Sequence, residues 1–156
     1  MPATTLVCSG CGSTKPKKEF ERNRVQCQAC RTVAAQKRIS ASYKSYLRNL
    51  YSKSKNSNKR DPRAANRDWH ITYEDLVEKW TEQGGRCALS GVYLTHHVDG
   101  SGVKDNNASI DRISQDVGYT AANTQLVCYR VNIMKHNLPE DMFFWWIKTI
   151  GDFTCD

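Results

Sequence analysis

Four cysteines fall early in the chain in two pairs: Cys8-x-x-Cys11 and, after fifteen residues, Cys27-x-x-Cys30. Thiolates at this spacing form two tight knuckles, each aiming two sulfurs at one point. Together they offer the tetrahedral set that zinc accepts at about 2.3 Å per sulfur. The surrounding segment is short and polar, so burial cannot hold it, and metal binding would supply its folding free energy. Four thiolates leave no open coordination position, which makes the expected zinc structural.

Charge divides the chain in two. Residues 1–67 carry 16 Lys and Arg against three acids, whereas residues 68–156 carry 7 against 13. A basic half on an acidic half reads as a polyanion-gripping arm joined to a unit with another task. A solvated basic face with no partner is the plainer alternative. No apolar run is long enough to span a bilayer, and the first residues lack the pattern of a signal peptide. The expectation is an intracellular protein, of the cytoplasm or the nucleus or nucleoid and not secreted, with cysteines kept reduced and free to hold metal.

The elements that must position these groups follow from periodicity. Residues 1–31 form the zinc module. From Arg31 to Tyr51, Ile39, Tyr43, Tyr46, Leu47 and Leu50 share one helical stripe, with Lys37, Arg38, Lys44 and Arg48 beside or opposite it. Ser52 to Arg67 is polar and aperiodic and reads as a linker or a basic loop that nucleic acid could order. Residues 32–68 are thus assigned to a basic helix and linker, and 69–156 to a second domain. There, Thr72 with Asp75 opens a helix that Gly84-Gly85 stops. Cys87 to Leu94 suits a short hairpin, and 95–107 a loop. Strands are expected at 108–113 and 124–129, then a short helix to Asn137 and a last helix over 142–150 behind Pro139. The expected class is α+β: a zinc-stapled module and basic helix, then a strand–strand–helix finger flanked by helices.

The stretch Ser109-Ile-Asp-Arg-Ile, then Gly118-Tyr-Thr, Asn123-Thr-Gln-Leu-Val-Cys128 and Asn132-Ile-Met-Lys135 resembles the HNH endonucleases, also called His-Me finger or ββα-metal nucleases. The small phage- and virus-encoded enzymes look most similar. Gly84-Gly-Arg-Cys-Ala-Leu-Ser-Gly91 is similar to the family's opening hairpin, and the first cysteine pair with Lys15-Pro16 and Glu19-Phe20 to a zinc module often fused ahead of it. The resemblance covers most of the chain apart from residues 40–68. It implies hydrolysis of DNA phosphodiester bonds with a divalent cation. By position, Asp111 would be a metal ligand from the first strand. Asn132 and His136, at i and i+4, would reach the same ion from one helix face. Such an oxygen-and-nitrogen set suits Mg2+ or Mn2+. Asn123 would tie the loop between the strands. For Asn132 a capping or buried-amide role, and for His136 a helix C-terminal cap, are the structural alternatives.

The chain departs from the family at Arg112, where a histidine base is usual. An arginine side chain cannot take a proton from water, although it could clamp a phosphate. His97, then His96, His70 or Tyr93, are left as candidate bases, unless His96-His97 is an idle surface pair. A second family zinc is not expected: its places read Cys87-Ala-Leu-Ser90 and Cys128-Tyr-Arg-Val131. Cys87 and Cys128 should pack as small apolar neighbours.

For the grip on nucleic acid, the candidates are Lys37, Arg38, Lys44, Arg48, Lys53, Lys55, Lys59, Arg60, Arg130 and Lys135. Their phosphate contacts would be sequence-independent and sensitive to salt. The expected partner is duplex or branched DNA ahead of RNA, with no membrane. A homodimer would suit a nuclease that cuts both strands. The competing readings are a non-catalytic zinc protein that binds DNA or RNA on a degenerate finger, and a ribosome-associated module favouring RNA.

Overall fold

The cysteine spacing sets the shape of the first thirty residues. In the computed structural model, which describes residues 4–60 and 68–154, β1 (Thr5–Val7) and β2 (Thr14–Pro16) pair antiparallel with Val7 opposite Thr14. Their connection carries Cys8 and Cys11. A short 3-10 turn over Lys17–Glu19 leads back to Cys27, which stands at the N-terminus of α1 (Gln28–Ser40). Phe20 fills the small core under this module with Cys8 and Cys27.

The single helical run read over 31–51 is two helices. α1 ends at Ser40, and α2 spans Tyr43–Arg60. The break lies at Ser42, whose hydroxyl accepts a hydrogen bond from Ser45 N at 3.1 Å and caps α2 in place of a preceding turn. The linker expected from Ser52 is also corrected: residues 52–60 continue α2. No Gly or Pro interrupts them, and Lys55 Nζ donates back to Tyr51 Oη four residues earlier at 3.1 Å. The polar composition of this stretch hid a helix exposed on most sides. Residues 61–67 of the expected linker lie outside the described residues.

α3 (Tyr73–Glu82) begins as its sequence demands. Thr72 Oγ1 accepts from Asp75 N at 3.2 Å while Asp75 Oδ2 accepts from Thr72 N at 2.7 Å, a reciprocal capping box. Gly84 and Gly85, at φ of 59° and 67°, turn the chain out of the helix. The hairpin expected over 87–94 reduces to a tight loop closed by Cys87 N to Val92 O at 2.8 Å, with one isolated bridge between Arg86 and Tyr93.

β3 (Ala108–Arg112) and β4 (Thr124–Cys128) form an antiparallel pair with Asp111 opposite Gln125. α4 (Tyr129–Lys135) follows β4 with no intervening loop, and α5 (Glu140–Thr154) closes the described chain. The class is α+β, with a four-cysteine module ahead of a strand–strand–helix unit.

One core unites most of these elements. Tyr46 and Leu47 of α2 are buried with Ile71, Leu76 of α3, Ile110 of β3 and Leu126 and Val127 of β4. α2 therefore packs on α3 and β3 of the second unit as well as on α1. Cys87 and Cys128 are buried in the same core. Burial pushes the Cys128 thiol up to about 11, with Cys87 beside it. Burial acts upward on Cys87 too, but hydrogen bonds involving Ser90 and nearby backbone outweigh it and the net shift is downward. Among the described residues no helix is long and apolar enough to cross a membrane.

Candidate functional site

The four sulfurs of Cys8, Cys11, Cys27 and Cys30 lie within 4.8 Å of one another. That spread matches a tetrahedral thiolate set, so these residues fit a zinc ion. Two backbone amides turn toward Cys8 Sγ: Cys27 N at 3.2 Å and Gly10 N at 3.3 Å. They favour the thiolate, and the Cys8 thiol is drawn down to about 6, foremost by the Cys27 amide. Cys30 is pushed up to about 12 through its hydrogen bonds with Cys27, Cys11 and Cys8. Four thiols this close cannot all ionise without a cation between them.

The strand–strand–helix unit is built by alternation. On β3, Ser109 and Asp111 project to one face, and α4 lies across that face. Asn132 Nδ2 donates to Ser109 Oγ at 2.7 Å and to Ile110 O at 3.3 Å, and among the described residues none donates to its Oδ1. One helical turn on, Lys135 Nζ donates to both oxygens of Asp111, at 3.2 and 2.9 Å, and to Arg112 O at 2.8 Å. Asp111 is 4% exposed and Lys135 is fully buried. Gln125 Nε2 bridges the same carboxylate to Glu140 Oε1.

These contacts correct the phosphate roles expected of Lys135 and Arg112 and bear on a third expectation. Lys135 cannot meet a DNA phosphate from the interior; its charge is used on Asp111. α4 ends at Lys135, so His136 stands at its C-cap with φ of 49° rather than within the helix. Its amide still donates to Asn132 O at 2.9 Å, as a helix C-cap, while the positive φ turns the following chain away and His136 lies exposed. Arg112 is no phosphate clamp: its guanidinium donates to Gln115 O at 2.9 Å, Gln115 Oε1 at 2.6 Å and Val117 O at 3.3 Å, over the Tyr119 ring.

Asn123 holds the loop between the strands. Its Oδ1 accepts from Ser114 N at 2.8 Å, and its Nδ2 donates to the carbonyls of Ser114, Val117 and Gly118 at 2.9, 3.1 and 3.0 Å. Gly118 is a glycine for a packing reason: a Cβ there would lie 2.4 Å from Asp68 O.

His97 belongs to a different surface. A cavity of about 410 Å³ is lined by His97, Lys53, Asn49, Tyr46, Ser109 and Tyr129, among others, but not by Asp111. Buried Asn107 fixes the histidine's backbone: its Oδ1 accepts from His97 N at 3.1 Å and its Nδ2 donates to His97 O at 2.7 Å. Ser109, hydrogen-bonded to Asn132, links the cavity to the α4 face. His96 is half-buried near Trp80, with its Nδ1 lacking a hydrogen bond. His70 is exposed beside Asp68, and Tyr93 lies under the Arg86 guanidinium.

Of the basic candidates, Arg38, Lys44 and Arg48 line one open cleft of about 660 Å³ between α1 and α2, with Arg48 over the Tyr73 ring. Lys37 is exposed on α1, and Lys53, Lys59 and Arg60 on α2, while half-buried Lys55 leans on Tyr51. Arg130 is held on Asp105 through Nε at 3.1 Å and Nη2 at 2.8 Å, so its charge is already matched.

The sequence reading did not single out Asn107, Ser109, Gln125 or Glu140. A buried asparagine after a polar loop has no distinctive spacing. The alternation of Ser109 with Asp111 on one strand was the available signal for Ser109.

No protein-family model matches the chain, and no curated protein matches it. Among solved structures it is similar to PacI, described as a rare-cutting HNH restriction endonuclease, over 94% of each chain, at 19% identity and a TM-score of 0.45.

Proposed function

We propose that this chain is a DNA-directed endonuclease of the HNH type, which hydrolyses phosphodiester bonds with a divalent cation and carries a structural zinc in its four-cysteine module. The observation that supports this reading is the face shared by β3 and α4. It sets a carboxylate, a carboxamide and a positive charge side by side, and a separate cleft on α1 and α2 is lined by Arg38, Lys44 and Arg48. The oxygens around Lys135 Nζ, two from Asp111 and the carbonyl of Arg112, are hard donors of the kind Mg2+ or Mn2+ takes. They already hold one positive charge, so Lys135 must move aside for a metal. Asp111 and Asn132 Oδ1 are the groups that would hold the ion, which when bound would polarise a phosphoryl oxygen.

The other roles fall to the chain's own residues. Arg38, Lys44 and Arg48 attract the phosphate backbone. Lys53 brings a positive charge to the cavity where His97 stands, and a substrate that spans from Ser109, which the cavity shares with Asn132, would bring water to the His97 imidazole as proton acceptor. Arg112 and Asn123 act by positioning, since both brace the loop between the strands.

The second reading, a non-catalytic DNA- or RNA-binding protein, is favoured by the sealed Asp111–Lys135 pair. A nicking assay on supercoiled plasmid with Mg2+ or Mn2+ separates the two. Wild type should nick, Asp111→Ala should not, and His97→Ala should be slowed by about a hundredfold or more. If zinc-loaded wild type binds DNA yet leaves duplex, branched and single-stranded substrates intact, the binding-protein reading replaces the nuclease.

A further inference from the structure

The cavity beside His97 lies between α2, the loop of residues 97–103 and the first turn of α4. At about 410 Å³ it falls within the range of small-ligand sites. Leu50, Val98, Val103 and the Tyr129 ring give it apolar walls. Asn49, Lys53, His97 and Ser109 add polar groups, and none of its lining residues is acidic. Buried Asn107 is already committed to Thr95 and His97. By contrast, among the described residues none hydrogen-bonds the side chain of Asn49, Lys53 or Tyr129. The outer wall is preformed. Asp99 Oδ1 accepts from Ser101 N at 2.9 Å, and Lys104 Nζ pairs with Asp99 Oδ2 at 2.9 Å, which closes the loop on itself. Gly100 and Gly102, at φ of 89° and 91°, take turns that a side chain would resist.

We propose that this cavity receives a single unpaired nucleotide, so that the preferred substrate is DNA carrying bulged or flapped residues. The inference rests on the nuclease reading for its polymer and adds the form of the substrate. A base stacked in a duplex must leave the helix to enter a walled space of this size. The cost is least where the base is already unpaired. The Tyr129 ring and the aliphatic walls suit the flat face of any base, as aromatic platforms do without regard to sequence. The Asn49 amide offers both a donor and an acceptor to the base edge. Lys53, the single Lys or Arg in the lining, matches the one charge of a phosphodiester. A free mononucleotide carries nearly two charges and is matched less well. Ser109 gives the strand its way out, since it joins the cavity to Asn132 and the α4 face.

Fluorescence anisotropy of the zinc-loaded full chain, without added Mg2+ or Mn2+, tests it on two labelled duplexes. They share one sequence, and one of them carries a short thymidine bulge. Wild type should bind the bulged duplex at least about tenfold more tightly. Tyr129→Leu should reduce that preference severalfold and Tyr129→Phe should keep it. Val103→Glu, which sets a carboxylate in the wall, should abolish it. Each variant should bind the paired duplex as wild type does, with thermal melting showing an intact fold. Equal affinity of wild type for both duplexes overturns the proposal and leaves the nuclease reading standing. So does a preference that survives both Tyr129→Leu and Val103→Glu. Binding of free thymidine monophosphate with no preference for the bulge also overturns it, in favour of a small-molecule site. A wild type that prefers the bulge yet cuts neither duplex once Mg2+ is added keeps the proposal and ends the nuclease reading.

Discussion

Lys135 Nζ stands 2.9 Å from Asp111 Oδ2, and neither side chain meets solvent to a significant degree. β3 and α4, separated in the chain by β4, therefore meet through a buried salt bridge. The carboxylate to which the proposed function gives a metal also anchors α4 to β3.

Breaking this pair from one side should be expensive. Lys135→Ala leaves a buried carboxylate without its partner and should cost about 3–5 kcal/mol, whereas Asp111→Leu/Lys135→Met together should cost much less. Urea denaturation of the four members of the cycle measures the coupling. Additive losses would show that the pair does not hold the helix down.

Removing the metal should unfold one module and spare the other. All four tryptophans, Trp69, Trp80, Trp145 and Trp146, lie outside residues 4–30, and Trp69 and Trp80 pack on the main core. Chelation, or Cys11→Ser, should release one zinc per chain and expose residues 4–30 to protease while tryptophan fluorescence barely changes. Metal analysis together with limited proteolysis checks it. A coincident loss of tryptophan signal would mean that the two cores fold as one.

Alkali should destabilise the fold through Tyr46. Its hydroxyl donates to Ala108 O at 3.0 Å, and burial pushes its pKa from 10.0 up to about 12. Between those values the unfolded chain releases the proton and the folded chain keeps it. Stability is therefore intact below pH 10 and is lost as pH rises toward 12. Tyr46→Phe should cost about 1 kcal/mol at neutral pH, through removal of the hydrogen bond, and flatten the alkaline decline. Urea midpoints on either side of pH 10 provide the test.

The α1–α2 cleft should dominate the salt dependence of DNA binding. Replacing Arg38, Lys44 and Arg48 by Ala should lower the slope of log affinity against log salt by up to about 0.9 for each phosphate that is no longer neutralised. Arg130→Ala, with its charge already matched by Asp105, should alter the slope little. Fluorescence anisotropy with a labelled duplex across a salt series measures both. Equal effects from the cleft and from Arg130 would move the grip elsewhere.

The sequence by itself determined what depends on local spacing. Two Cys-x-x-Cys knuckles converge wherever the chain between them can fold back, and the Thr72–Asp75 cap and the Gly84-Gly85 stop act within a few residues of themselves. The alternation around Asp111 placed β3 within a residue of its observed end. The tertiary structure decided which charges remain free. Lys135 and Arg112 look like phosphate-binding residues along the chain, yet α4 carries Lys135 onto Asp111 and the loop before β4 folds its carbonyls around Arg112. One positive φ at His136 ends the helix at Lys135, two residues short of the expected Asn137. Such pairings depend on how separate elements pack, and a buried charge takes the nearest opposite partner that the packing provides, a choice that no spacing along the chain encodes.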